Sequence, residues 1–91
     1  MSYMLTRIHV DEYDAWKPVF DSDPAGARKE AKGHRILRSA EDPNELFIQV
    51  EFASAEKAAA ARERLVSSGV LERVSVTAGP ALAEEAETVA Y

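Results

Sequence analysis

Residues 46–52 constrain this chain more than any other stretch. Leu46, Ile48, Val50 and Phe52 fall on one side of an extended backbone, and Phe47, Gln49 and Glu51 fall on the other, which is the period of two that defines a strand. An all-apolar side must be buried, so the segment predicts a central strand. Directly before it stand Glu41-Asp42-Pro43-Asn44, where Pro presets φ for a turn and Asp and Asn can bond nearby backbone. His34 to Ser39 precedes that turn as a second extended run, so the two predict a β-hairpin.

The rest of the chain is placed around this hairpin. From Tyr3 to Val10, Met4, Thr6, Ile8 and Val10 alternate with Tyr3, Leu5, Arg7 and His9, predicting a first strand. Asp11 then stands as a helix N-cap with Glu12 and Asp14 in the first turn, and Tyr13, Trp16 and Phe20 make an aromatic stripe. Pro18 within that helix predicts a kink or a delayed start. Asp21-Ser22-Asp23-Pro24 signals a break and a second helical piece to Lys32, stopped by Gly33. After the central strand, Ser54 caps an Ala-rich helix that ends at Gly69, Val70 to Val74 add a short turn, and Gly79-Pro80 punctuates before the last segment. Residues 81–91 are helix-forming by propensity, yet strand, helix, hairpin, helix lacks a closing strand, so at least part of this segment is assigned to a strand beside the first. The order β-α-β-β-α-β predicts one α+β domain over residues 1–91, a ferredoxin-like sandwich with both helices on one side of the sheet. Phe47, Gln49 and Glu51 are then left on the bare side, a mixed surface that a second sheet would cover. Phe47 and Gln49 are the residues expected at that homodimer interface, with the C-terminal residues through Tyr91 reaching across.

Composition narrows function mainly by exclusion. Sixteen acidic residues against 11 basic ones give a net charge of −5, which repels a phosphate backbone and an anionic membrane. The chain has no Cys, hence no disulfide framework and no thiolate chemistry. No run approaches the ~18 apolar residues of a membrane span and no basic, then apolar, leader opens the chain, so a soluble cytoplasmic protein is expected. His9 and His34, the only two histidines, sit in no His-x-x-x-His or Glu-x-x-His spacing, and neither metal nor cofactor is expected. Walker, Gly-x-Ser-x-Gly and dinucleotide fingerprints are absent. Lys29, Lys32, Arg35 and Arg38 form a local basic run, but the central strand carries Gln49 and Glu51 where an RNA-recognition sheet would carry stacking aromatics.

Tyr13 followed by Asp14-Ala15-Trp16-Lys17-Pro18-Val19-Phe20-Asp21, then Gly33-His34-Arg35-Ile36-Leu37-Arg38 and Asp42-Pro43-Asn44-Glu45-Leu46, resembles a group of small uncharacterised bacterial proteins in the dimeric α/β-barrel superfamily. Antibiotic biosynthesis monooxygenases are its better-known relatives, and members of the group are sometimes labelled cyclase. The resemblance extends to about Gly79. It implies two sheets closed into a barrel across a homodimer, with ligands in a cleft between the sheet and helices of each subunit. The group's Arg-His pair in the first strand is here spread over Arg7 and His9, which turns the imidazole to the opposite side of the strand.

Two readings of the polar and aromatic residues follow. In one, Tyr13 and Trp16 line a pocket for a planar aromatic ligand, while Arg7 and His9, beside Arg38, hold an enolate or phenolate oxygen, as cofactor-free oxygenation of an aromatic or polyketide-like metabolite would require. In the other, the aromatics are core, the charged groups are surface ion pairs, and the chain is a non-catalytic dimeric binding or interaction module.

Overall fold

A computed structural model describes residues 1–91. Its centre is the strand pair β1 (Ser2–His9) and β3 (Glu45–Phe52), antiparallel, with Met4 opposite Val50, Thr6 opposite Ile48 and Ile8 opposite Leu46. Facing residues share a side of the sheet, so this register stacks the two apolar sets. Leu46 and Phe52 are completely buried, and full burial of one such side chain stabilises by about 1.5–3 kcal/mol. The hairpin partner β2 (Gly33–Arg38) flanks β3, and β4 (Ser75–Glu84) flanks β1, giving an antiparallel sheet in the order β2-β3-β1-β4. Helices α1 (Tyr13–Asp21) and α2 (Ala55–Ser67) complete the β-α-β-β-α-β order, an α+β arrangement consistent with a ferredoxin-like fold. The shortest molecular dimension is 20 Å, the thickness of one helix layer on one sheet when layers stack at ~10 Å. The opposite sheet face is uncovered.

The two helices sit on the sheet in different ways. The Ser54 hydroxyl accepts the Lys57 N–H at 3.2 Å and starts α2, as anticipated. Ala58 and Ala61 are its buried residues and join Met4, Val50 and Phe52 in the larger core cluster. Methyl groups let α2 lie close. Helix α1 faces the sheet with Tyr13, Trp16 and Phe20, and no Cα of α1 comes within 8 Å of a strand Cα. Tyr13 and Trp16 pack on the second cluster, Ile8, Val10 and Leu46.

Three local expectations are corrected. Asp11 does not cap α1. The first helical residue is Tyr13, whose N–H donates at 3.2 Å to the Asn44 side-chain carbonyl, while the Asn44 amide donates to the Asp11 carbonyl at 3.1 Å. The cap is supplied by the hairpin turn rather than by the neighbouring residue. No helix forms over residues 24–32, because Asp23 and Gly26 both take positive φ, 48° and 64°, and left-handed residues end a right-handed helix. The turn is held by Gly26 N–H on the Asp23 carbonyl and Arg28 N–H on the Asp23 carboxylate, and it presses Ala27 into the core. Gly79-Pro80 lies inside β4 rather than before the last segment, where the β1 pairing slips between Leu5 and Arg7. Gly79 has φ +78°, and a Cβ there would collide with the Leu5 carbonyl. Part of the last segment is strand beside β1, as expected, covering Ala81 to Glu84, and residues 85–91 take no regular form. Ser2 and Tyr3 bind this end through Glu84 and Glu85, the Tyr3 hydroxyl donating to Glu85 at 2.7 Å. That bond, above all, pushes the phenol pKa up to about 12 and holds the Glu85 carboxyl below its usual range.

Candidate functional site

The large rings of α1 and the small methyls of α2 cannot close on the sheet at the same height. Between them lies an apolar cavity of about 100 Å³, floored by Met4, Thr6, Ile8 and Ile48 and walled by Trp16 and Phe20. The short 3₁₀ turn Val70–Arg73 and the end of α2 close the far side through Leu71 and Leu65. Trp16 and Phe20 stack with centroids 4.9 Å apart, and Phe20 meets the His34 ring edge-on at 5.1 Å. At the rim, the Arg28 guanidinium lies 3.8 Å over the Phe20 ring, donates to the Phe20 carbonyl and sits 3.7 Å from the Asp23 carboxylate. Partial burial lowers the His34 pKa, with the positive charges of Arg28 and Lys17 adding to it against Asp21.

Thr6 differs from its neighbours on that floor. It is 8% exposed and sits among apolar side chains in the middle of the central strand pair. No buried polar side-chain atom is sealed off without a partner, and Thr6, whose hydroxyl finds none within the chain, belongs to the cavity lining.

A second, shallower depression occupies the uncovered sheet face, formed by Leu5, Leu37, Phe47, Gln49 and Ala81 beside Arg7. Leu5 and Phe47 are each 39% exposed and Leu37 is 54% exposed. The Arg7 guanidinium stacks 4.8 Å over Phe47, and its Nε lies 2.8 Å from the Glu45 carboxylate, which also accepts from Thr77 at 3.0 Å. His9 Nε2 is 3.1 Å from Asp42. Donor atoms of His9, Asp42 and Glu45 lie within 4.8 Å of one another. A cation placed there would share Glu45 with the positive charge of Arg7, so the group is an ion-pair network in the form seen.

The sheet therefore separates the residues singled out from the sequence. Arg7 and His9 lie on the open face with Phe47 and Gln49. Tyr13 and Trp16 lie on the helix side, as does Arg38, which stacks 4.2 Å over the Tyr13 ring and donates to the Pro43 carbonyl. Arg38 is not brought beside Arg7 and His9, and Arg7 pairs with Glu45. Of the aromatic stripe, Trp16 and Phe20 reach the cavity, and Tyr13 does not. Tyr91 is fully exposed at the chain end. Thr6, Asp23 and Arg28 were missed. Thr6 left a signal, as the one polar residue in the inward set Met4, Thr6, Ile8 and Val10. The Asp23–Arg28 pair left none, because it depends on a left-handed residue.

No helix is long and apolar enough to cross a membrane. Comparison of the chain with family models, curated proteins and solved structures finds no match.

Proposed function

We propose that the chain is a homodimeric small-molecule-binding protein of the dimeric α/β-barrel type, similar to cofactor-free monooxygenases and cyclases that act on aromatic or polyketide-like metabolites. The observation that carries this reading is the apolar cavity under α1, walled by Trp16 and Phe20 and lined by few polar groups, the composition typical of ligand sites. The uncovered sheet face supports the pairing of two copies, since Leu5, Leu37 and Phe47 stay in contact with water in a single chain. The residue arrangement favours binding in the cavity over chemistry at Arg7 and His9, because both of those groups are already paired and lie on the other face.

A second reading, a dimeric interaction module with no ligand, is favoured by the packing of Tyr13 and Trp16 on Ile8, Val10 and Leu46. Titration of phenols and quinones against Trp16 fluorescence separates the two, because Trp16 is the only tryptophan and borders the cavity. A saturable change in emission is expected. If no compound in the series produces one, the cavity is a packing void and the interaction module is the better account.

A further inference from the structure

We infer that the cavity selects a neutral, single-ring phenol, with the Thr6 hydroxyl as the hydrogen-bonding partner of the phenol oxygen. The inference rests on the ligand-binding reading above and narrows it by size, by charge and by polarity.

Size comes first. An enclosed apolar cavity of roughly 150 Å³ takes one benzene ring, so the space of about 100 Å³ between α1 and the sheet, which is open on one side, sets a single ring as the upper limit, with the ring's outer edge left in the mouth. It leaves no room for a fused-ring skeleton. Charge comes next. The only ionisable groups lining the cavity are Asp23 and Arg28, and these two are spent on each other and on the Phe20 carbonyl. No free cation faces the interior to hold a carboxylate or phenolate, so an anion entering would lose its hydration without compensation. A phenol is neutral near pH 7, as the ordinary tyrosine pKa of about 10 shows.

Polarity sets the orientation. A hydroxyl in the lining of an apolar cavity and without a partner in the chain is an unspent hydrogen-bonding group, since Thr offers one donor and two acceptor sites. At this position Val would fill the same volume with no polar atom. The neighbouring backbone gives the side chain its isolation: β4 slips in register opposite Leu5 to Arg7, so Thr6 has a cross-strand partner in Ile48 of β3 but none in β4. A phenol with its ring against Trp16 and Phe20 would bring its oxygen to the one polar point on the floor. A hydrocarbon of the same shape would leave that point unused.

The experiment compares p-cresol, toluene and 1-naphthol by calorimetric titration on the unaltered chain and on Thr6→Val. The expected result is that p-cresol binds more tightly than toluene, and that Thr6→Val weakens p-cresol by about ten-fold, the usual consequence of leaving a buried polar group unpaired. Toluene should change by less than about two-fold, a split that a general loss of packing would not produce. The bicyclic 1-naphthol should bind more weakly than p-cresol. Equal changes for p-cresol and toluene, or none for either, overturn the role of Thr6; tighter binding of 1-naphthol overturns the size limit; both outcomes leave the ligand-binding reading standing. Failure of all three compounds, and of larger quinones in the same assay, removes the ligand-binding reading itself. Should Thr6→Val lose its fold, the unaltered chain still decides, since a preference for toluene over p-cresol excludes a hydrogen bond at the cavity floor.

Discussion

His34 sits where the first helix, the 23–28 turn and the edge strand β2 meet, with its ring against Phe20 and its charge opposed by Arg28 and Lys17. Its pKa is lowered in the folded chain, so the unfolded chain binds more protons in the window between the folded value and the ordinary 6.5. Stability rises with pH wherever the unfolded state binds more protons. The contribution is therefore fully present above 6.5 and is lost as pH falls through the lowered folded value. Thermal melts taken from pH 7.5 down to about pH 5 should show a falling midpoint, and His34→Gln should flatten that fall. An unchanged slope in the variant would show that another group controls it. None of this was legible in the sequence, where His34 simply opens an extended run. The partial covering of its ring depends on Phe20, and its charge environment depends on the left-handed turn that carries Arg28.

At the scale of elements, three strands were legible, and β4, which begins at Ser75 ahead of the segment assigned to it, and the first helix were only partly so. β1, β3 and the hairpin announce themselves because a period-two pattern with an all-apolar face has one solution. The 3₁₀ turn and the Ser54 cap are equally local. The start of α1 is not, since its first N–H is satisfied by Asn44, 31 residues away in the hairpin turn, and no window of sequence holds both. Asn44→Ala should therefore destabilise by about 1 kcal/mol, the usual worth of a helix cap, which corresponds to roughly 4–8 °C in the melting midpoint of a chain this size. Asp11→Ala should cost much less, because only its backbone carbonyl is used. If the two substitutions proved equal in a melt, the cap would belong to Asp11 after all. Residues 24–32 were misjudged for a related reason: Pro24 and the terminal lysines fit a helix, but Asp23 and Gly26 give the backbone a tight turn stabilised by the Asp23 carboxylate. β4 reverses the usual order, since its helix-forming residues follow the sheet where β1 offers them an unpaired edge.

For the whole molecule, the layer count governs which surface is left for assembly. One helix layer on one sheet leaves Leu5, Leu37 and Phe47 in water on the far side, with Arg7 lying over Phe47. Pairing of two such faces at about 10 Å separation would exclude that water, and an obligate homodimer would bury about 2,000 Å² or more in total. Light scattering at micromolar concentration should give a mass near twice the chain's 10.0 kDa. Phe47→Asp should shift it toward a single chain, or unfold the protein if the partner is needed for stability. A monodisperse single-chain mass for the unaltered protein would set the pairing aside. The uncovered face itself was readable from Phe47, Gln49 and Glu51. The cavity on the other side was not, because it arises from the unequal heights of two helices that no single stretch encodes.

The slip in β4 also bears on what the sheet does at its margin. β4 is an outer strand, and an outer strand with an uninterrupted row of amide donors and acceptors is a template on which further chains can polymerise. Pro80 has no N–H to offer and Gly79 bends the backbone with a positive φ, so the row is broken near its middle. Lateral addition of strands is hindered at that margin alone, since β2, the other outer strand, carries no such break, while the flat of the sheet between them stays uncovered.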